Sequence, residues 1–169
     1  SYDAIYMANY KGVASSDHTL NISDSVITGG NGVSISCTKA TISGAKTEII
    51  STNEAGNSVL VSFMDNDGTS GSLTIIGGEF VGPIGVEEPT GGAGNAAVIS
   101  VNGGYFTEPV DVSYLSSEFK YMVHKDLYYS YYETLAEALQ AAAPDGTVQA
   151  IAIPGRVIHT VTVVYGNGT

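Results

Sequence analysis

Two short phrases alternate four times along residues 1–106, always in the same order. The first has a polar corner residue, a small residue and then alternating apolar positions. It reads Asp3-Ala4-Ile5-Tyr6-Met7, Asn31-Gly32-Val33-Ser34-Ile35, Asn57-Ser58-Val59-Leu60-Val61 and Asn95-Ala96-Ala97-Val98-Ile99. The second opens on an apolar residue and ends on positions that are usually small: Ile22-Ser23-Asp24-Ser25, Ile42-Ser43-Gly44-Ala45, Ile75-Ile76-Gly77-Gly78 and Val101-Asn102-Gly103-Gly104. An apolar residue follows two places later in three copies, as Ile27, Phe80 and Phe106. In the remaining copy its counterpart is Thr47, or Ile49 after an insertion.

Corresponding positions lie 28, 26 and 38 residues apart in the first phrase, and 20, 33 and 26 in the second. A period of that size with variable insertions marks a solenoid. Alternation inside each phrase puts every second side chain on one face, which is strand periodicity. One repeat cannot bury its apolar face alone, but stacked repeats can. The expectation is therefore an all-β chain, a right-handed parallel β-helix whose interior row contains Ile22, Ile42, Ile75 and Val101 in succession. Gly44, Gly77 and Gly103 are expected at one corner, where positive φ or a missing Cβ is useful. Asn31, Asn57 and Asn95 suit a second corner, since Asn tolerates the left-handed region and its amide can bond the next coil. Residues 65–71 and 82–94 are expected to project as loops. A β-sandwich built from similar hairpins is the alternative.

Composition agrees with a globular β protein: 43% hydrophobic residues against 14% charged, with 21 glycines. A formal net charge of −11 with only six basic residues excludes a nucleic-acid partner, which would need a basic patch. No apolar run approaches the ~20 residues that span a bilayer, so membrane insertion is excluded as well. The lone Cys37 sits in an alternating stretch and reads as a small buried hydrophobe. No signal peptide is evident, and the chain starts at Ser1, as in a processed form or an excised piece of a longer chain with adjoining domains.

The phrases stop at Phe106, and Glu108-Pro109 breaks the strand. Residues 1–108 are thus assigned to the repeats and 109–169 to a C-terminal cap. The cap should hold an alternating strand at 119–125, one short α-helix at about 135–143 and two further strands. Thr134 as N-cap and Glu137 three residues on form a capping box. Leu135, Ala138, Leu139 and Ala142 share one helical face.

The order ISVNGGYFTEPVDVSYL followed by YETLAEALQAAAPDGTVQAI resembles repetitive cell-surface proteins of gut-dwelling bacteria, whose β-helices are pectate-lyase-like. The likeness covers roughly residues 19–153. It implies an extracellular, surface-attached protein, and it carries no catalytic residue over because the shared motifs are structural.

Chemistry is harder to find in the chain. A polysaccharide hydrolase on this fold wants convergent carboxylates, and a lyase wants a calcium site with a basic residue. Lys39 and Lys46 flank the second phrase without paired acids, and Arg156 lies outside the repeat. No catalytic residue is assigned. Asp65 and Asp67, in DNDG, are the only candidate metal ligands, for calcium; a tight turn explains the same residues. No other cofactor is expected. His18, His124 and His159 share no ligand spacing, and Glu87-Glu88 reads as a solvated pair.

Tyr128, Tyr129, Tyr131 and Tyr132 crowd five positions, with Tyr105, Tyr114 and Tyr121 near them. In a strand, neighbouring tyrosines point to opposite faces, so some should be exposed and able to meet a sugar ring or a protein. Sealing the junction between solenoid and cap is the competing role. Three functions remain from this chain: a structural or adhesive surface module with a glycan or protein ligand, a carbohydrate-binding module, and a polysaccharide lyase or glycoside hydrolase.

Overall fold

Alternating apolar residues make strands, and the close spacing of the corners makes those strands short. The computed structural model describes residues 2–8, 18–62, 71–87, 97–152 and 163–164. Twelve strands form four circuits, each visiting three sheets in the same order. The first sheet holds β1 (Asp3–Ala8), β4 (Asn31–Ser36), β7 (Val59–Ser62) and β10 (Ile84–Glu87). The second holds β2 (Thr19–Ser23), β5 (Lys39–Ser43), β8 (Ser72–Ile75) and β11 (Val98–Val101). The third begins with β3 (Val26–Gly29), β6 (Glu48–Ser51), β9 (Glu79–Val81) and β12 (Tyr105–Phe106). Every pairing among these twelve is parallel, which removes the hairpin-built sandwich.

The interior rows follow from register. Ile22 pairs with Ile42, Ile42 with Ile75 and Ile75 with Val101, as the second phrase requires. In the third sheet Ile27, Ile49, Phe80 and Phe106 form the matching row, so Ile49 rather than Thr47 is the counterpart of Ile27. In the first sheet the row is Ile5, Val33, Val59 and Ile84. Most of these side chains are fully buried in one core cluster.

That last row corrects two expectations. Residues 82–94 do not form one projecting loop: β10 lies inside them and supplies the fourth strand of the first sheet. The phrase at Asn95 is not a fourth copy of the first phrase, because Val98 and Ile99 already belong to β11 of the second sheet. Ile84 and Val86 land on Val59 and Val61, an alternation masked in the sequence by Pro83 and Gly85. Gly85 is required by closeness, since a Cβ there would collide with the Asn57 side chain.

The corners differ in detail from the expectation. Left-handed φ falls on Asp24 (46°) and Gly44 (93°) in the first two circuits, but on Gly78 (110°) and Gly104 (115°) in the last two. Gly103 is small for another reason: a Cβ would lie 2.5 Å from the Ile76 carbonyl oxygen of the circuit below. Asn31 and Asn57 do not take positive φ. Asn31 instead works as a clip, its Nδ2 donating to Asp3 Oδ1 at 2.7 Å and its Oδ1 accepting from the Asn57 backbone N–H at 2.8 Å. Asn95 lies outside the described residues. Cys37 is fully buried, as its setting implied.

Beyond residue 108 the third sheet continues without a break. The hairpin β13 (Tyr121–Lys125) and β14 (Tyr128–Tyr132) adds to it when β14 pairs antiparallel with β12, Tyr129 opposite Phe106. Then β15 (Thr147–Ala150) pairs with β13, and β16 (Val163–Val164) with β15. The segment before the hairpin meets the edge of the second sheet, where Leu115 forms a parallel bridge to Val101 of β11. Helix α1 (Leu135–Ala142) lies over the hairpin, with Ala138 and Ala142 fully buried against Val123 and Val148. Small side chains let the helix come close. Leu139 is half-buried, whereas Leu135 stays 39% exposed and adds little to the expected face. Among the described residues no helix is long and apolar enough to cross a membrane.

The capping box is present. Thr134 Oγ1 accepts from the Glu137 N–H at 3.3 Å, and Glu137 Oε2 accepts from the Thr134 N–H at 3.1 Å. Thr134→Ala should cost about 1 kcal/mol, lowering the melting temperature by about 3 °C. Thermal denaturation followed by circular dichroism checks this; an unchanged midpoint would show that the cap contributes nothing.

Candidate functional site

Strand alternation that sends Ile27, Ile49, Phe80 and Phe106 inward sends the residue before each of them outward. Val26, Glu48, Glu79 and Tyr105 therefore form an outer ladder on the third sheet, paired rung to rung. Antiparallel docking of β14 on β12 continues that ladder. With Tyr129 opposite Phe106 and turned inward, Tyr128, Ser130 and Tyr132 must face out beside Tyr105. A cleft of about 300 Å³ results, lined by Glu79, Tyr105, Tyr128, Tyr132, Lys125, Asp126 and Ser130, with Val123 and Ala141 as its apolar floor.

The four crowded tyrosines are thus divided between two faces. Tyr128 and Tyr132 line the cleft. Tyr131 is only 7% exposed; its hydroxyl accepts the Val110 backbone N–H at 2.7 Å, and its ring lies 6.2 Å from those of Phe106 and Phe119. Tyr129 packs on the core and stacks with His124, the ring centroids 4.4 Å apart and the planes 14° from parallel. One pair of rings lines the cleft and the other packs on the core.

Tyr105 and Glu79 complete the cleft. Tyr105 was legible only as a neighbour of the cluster, and Glu79 was not singled out. The signal that finds both is their shared place after a double glycine, in GGEF and GGYF, which puts them one rung apart.

The electrostatics of the cleft keep the phenols of Tyr105 and Tyr128 protonated. Tyr105 is raised above the ordinary tyrosine value by the charge of Tyr132 first, then by burial, by hydrogen bonding to Tyr132 and by the charge of Glu79. Burial first, then the charge and hydrogen bonding of Glu79 and the charge of Glu48, raise Tyr128. These groups are neutral hydrogen-bonding phenols at neutral pH, not phenolate nucleophiles. Lys125 lines the cleft with its Nζ donating to the Ala143 carbonyl at the helix C-terminus. Its positive charge stands against the two carboxylates of the lining, Glu79 and Asp126, so the formal balance of the cleft is negative.

Asp65 and Asp67, the calcium candidates, lie outside the described residues, as do Glu88, Arg156 and His159. His18 precedes β2 of the second sheet, and His124 stands on β13 of the third. Among the described residues no group of three or more His, Cys, Asp and Glu is placed to hold a metal ion. Lys39 begins β5 and is exposed, with its backbone N–H on the His18 carbonyl.

Compared with family models, with curated proteins and with solved structures, the chain matches none of them.

Proposed function

We propose that the chain is a non-catalytic module of an extracellular bacterial surface protein, wound as a right-handed parallel β-helix, that binds glycan in the tyrosine cleft. Crossovers between parallel strands of one sheet are right-handed in nearly all proteins, and that supports the hand. The surface setting rests on the motif order that resembles gut bacterial surface proteins. The observation that carries the binding role is the cleft itself, where Tyr105, Tyr128 and Tyr132 present rings beside the Glu79 carboxylate. Rings with polar tips suit the apolar face of a sugar, and a carboxylate accepts from its hydroxyls. The stiff stack behind the cleft holds these groups on paired strands rather than on a loop, which lowers the ordering cost of binding.

Glycan-array screening followed by calorimetry tests this. Tyr128→Ala should weaken the best glycan by about tenfold or more, while Tyr6→Ala, at an exposed position on the first sheet, should not. Absence of binding to any glycan would remove the reading. A second reading, a glycoside hydrolase, draws on Glu48 and Glu79 being paired in register on one face. Release of new reducing ends, abolished in Glu79→Gln, would favour it instead.

A further inference from the structure

From the charge left in the cleft, we propose that its ligand is an amino sugar bearing a protonated amine, as in an oligomer of glucosamine; this rests on the glycan-binding reading above. Three observations converge on a cationic ring. Glu48 and Glu79 stand side by side on adjacent rungs, where like charges repel; Glu79 lines the cleft and Glu48 lies beside it, close enough to act on Tyr128. Lys125, which lines the cleft, donates its ammonium to the Ala143 carbonyl rather than to a glutamate, so its one positive charge stands against Glu79, Asp126 and the neighbouring Glu48. Three phenol rings flank the Glu79 carboxylate, and aromatic faces attract an ammonium as well as a sugar ring. Raised phenol values at Tyr105 and Tyr128, partly caused by Glu79, report the same negative field.

An ammonium placed between Glu48 and Glu79 relieves their repulsion, while the ring carrying it packs on Tyr128. A cleft of about 300 Å³ is at the small end for ligand sites, which suits one ring rather than a long chain. An acidic sugar would meet Glu79 and Asp126 with its own charge and be rejected.

The test is calorimetry of the protein with trimers of glucosamine, of N-acetylglucosamine and of glucose, together with penta-lysine, at low and high salt. The glucosamine trimer is expected to bind about tenfold tighter than either neutral trimer, with the advantage shrinking as salt rises. Glu79→Gln should abolish that preference, bringing the glucosamine trimer down to the affinity of the neutral trimers. Because the ratio between trimers is measured on the unaltered protein, the outcome does not depend on the variant folding. Equal affinity for all three trimers would overturn the inference yet leave glycan binding standing. Penta-lysine binding as tightly as the glucosamine trimer would overturn it in favour of a peptide cation. No binding of any sugar would remove this inference and the reading beneath it together.

Discussion

Phe80→Ala is expected to lower the melting temperature by about 10 °C. Phe80 is fully buried in the interior row of the third sheet, between Ile49 below and Phe106 above. Its ring stacks on Phe106 at a centroid distance of 4.9 Å and an angle of 12°. Truncation removes apolar contact on two sides and leaves a cavity that paired neighbours cannot close, because hydrogen bonds to the rungs above and below fix the backbone. Core Phe→Ala changes cost about 3–5 kcal/mol, and in a chain of this length each kcal/mol moves the midpoint by roughly 2–4 °C. Ile76→Ala, just after β8 and 55% exposed, is the control and should stay within about 0.5 kcal/mol. Equal effects of the two substitutions would mean that the ring is not held between rungs, and the stacked register would be wrong.

The third sheet's row also shows what could be read from sequence and what could not. Ile22, Ile42, Ile75 and Val101 were legible because each copy keeps its apolar residue before a small corner, and spacing alone aligns them. The row through Ile49 was ambiguous because five residues separate Ile22 from Ile27, but seven separate Ile42 from Ile49; the extra residues bulge at Ala45 and Lys46, both exposed. β10 was hidden for a different reason. Its pleat holds only two apolar positions, Ile84 and Val86, and its other features, Pro83 and Gly85, are loop signals. Register with β7 turns it into a strand, and register is a property of the partner rather than of the segment.

The cleft was half legible for the same physical reason. Alternation within YYSYY shows that the tyrosines divide between two faces, but not which face meets solvent. That is decided by a single antiparallel pair, Phe106 with Tyr129, made between segments more than twenty residues apart. Glu79 enters the site only because parallel stacking carries its outward direction up to Tyr105. Side chains that recur on the outside of successive rungs look like ordinary surface polarity in one dimension, and become a site only when a cap closes over them.

Tyr131 gives the second large expected effect, and it separates sealing from binding. Its hydroxyl is the acceptor for the Val110 N–H, at 2.7 Å, where Val110 is 7% exposed and joins the core. Burial is the main cause holding this phenol above its ordinary value. Tyr131→Phe keeps the ring against Phe106 and Phe119 but leaves a buried N–H without its acceptor, a loss of about 1–3 kcal/mol or roughly 5 °C in melting temperature. Tyr131→Ala also removes the ring and should cost about 3–5 kcal/mol. Amide exchange should speed up at Val110 and along β14 in both variants, before it does in β5 or β8, because the cap is released while the inner rungs keep both neighbours. Since Tyr131 faces away from Tyr128 and Tyr132, the folded Tyr131→Phe protein should bind glycan as well as the unaltered chain. A loss of affinity as large as that of Tyr128→Ala would show that the hairpin presents the opposite face to its ligand, and the cleft would have to be redrawn on the side of Tyr129.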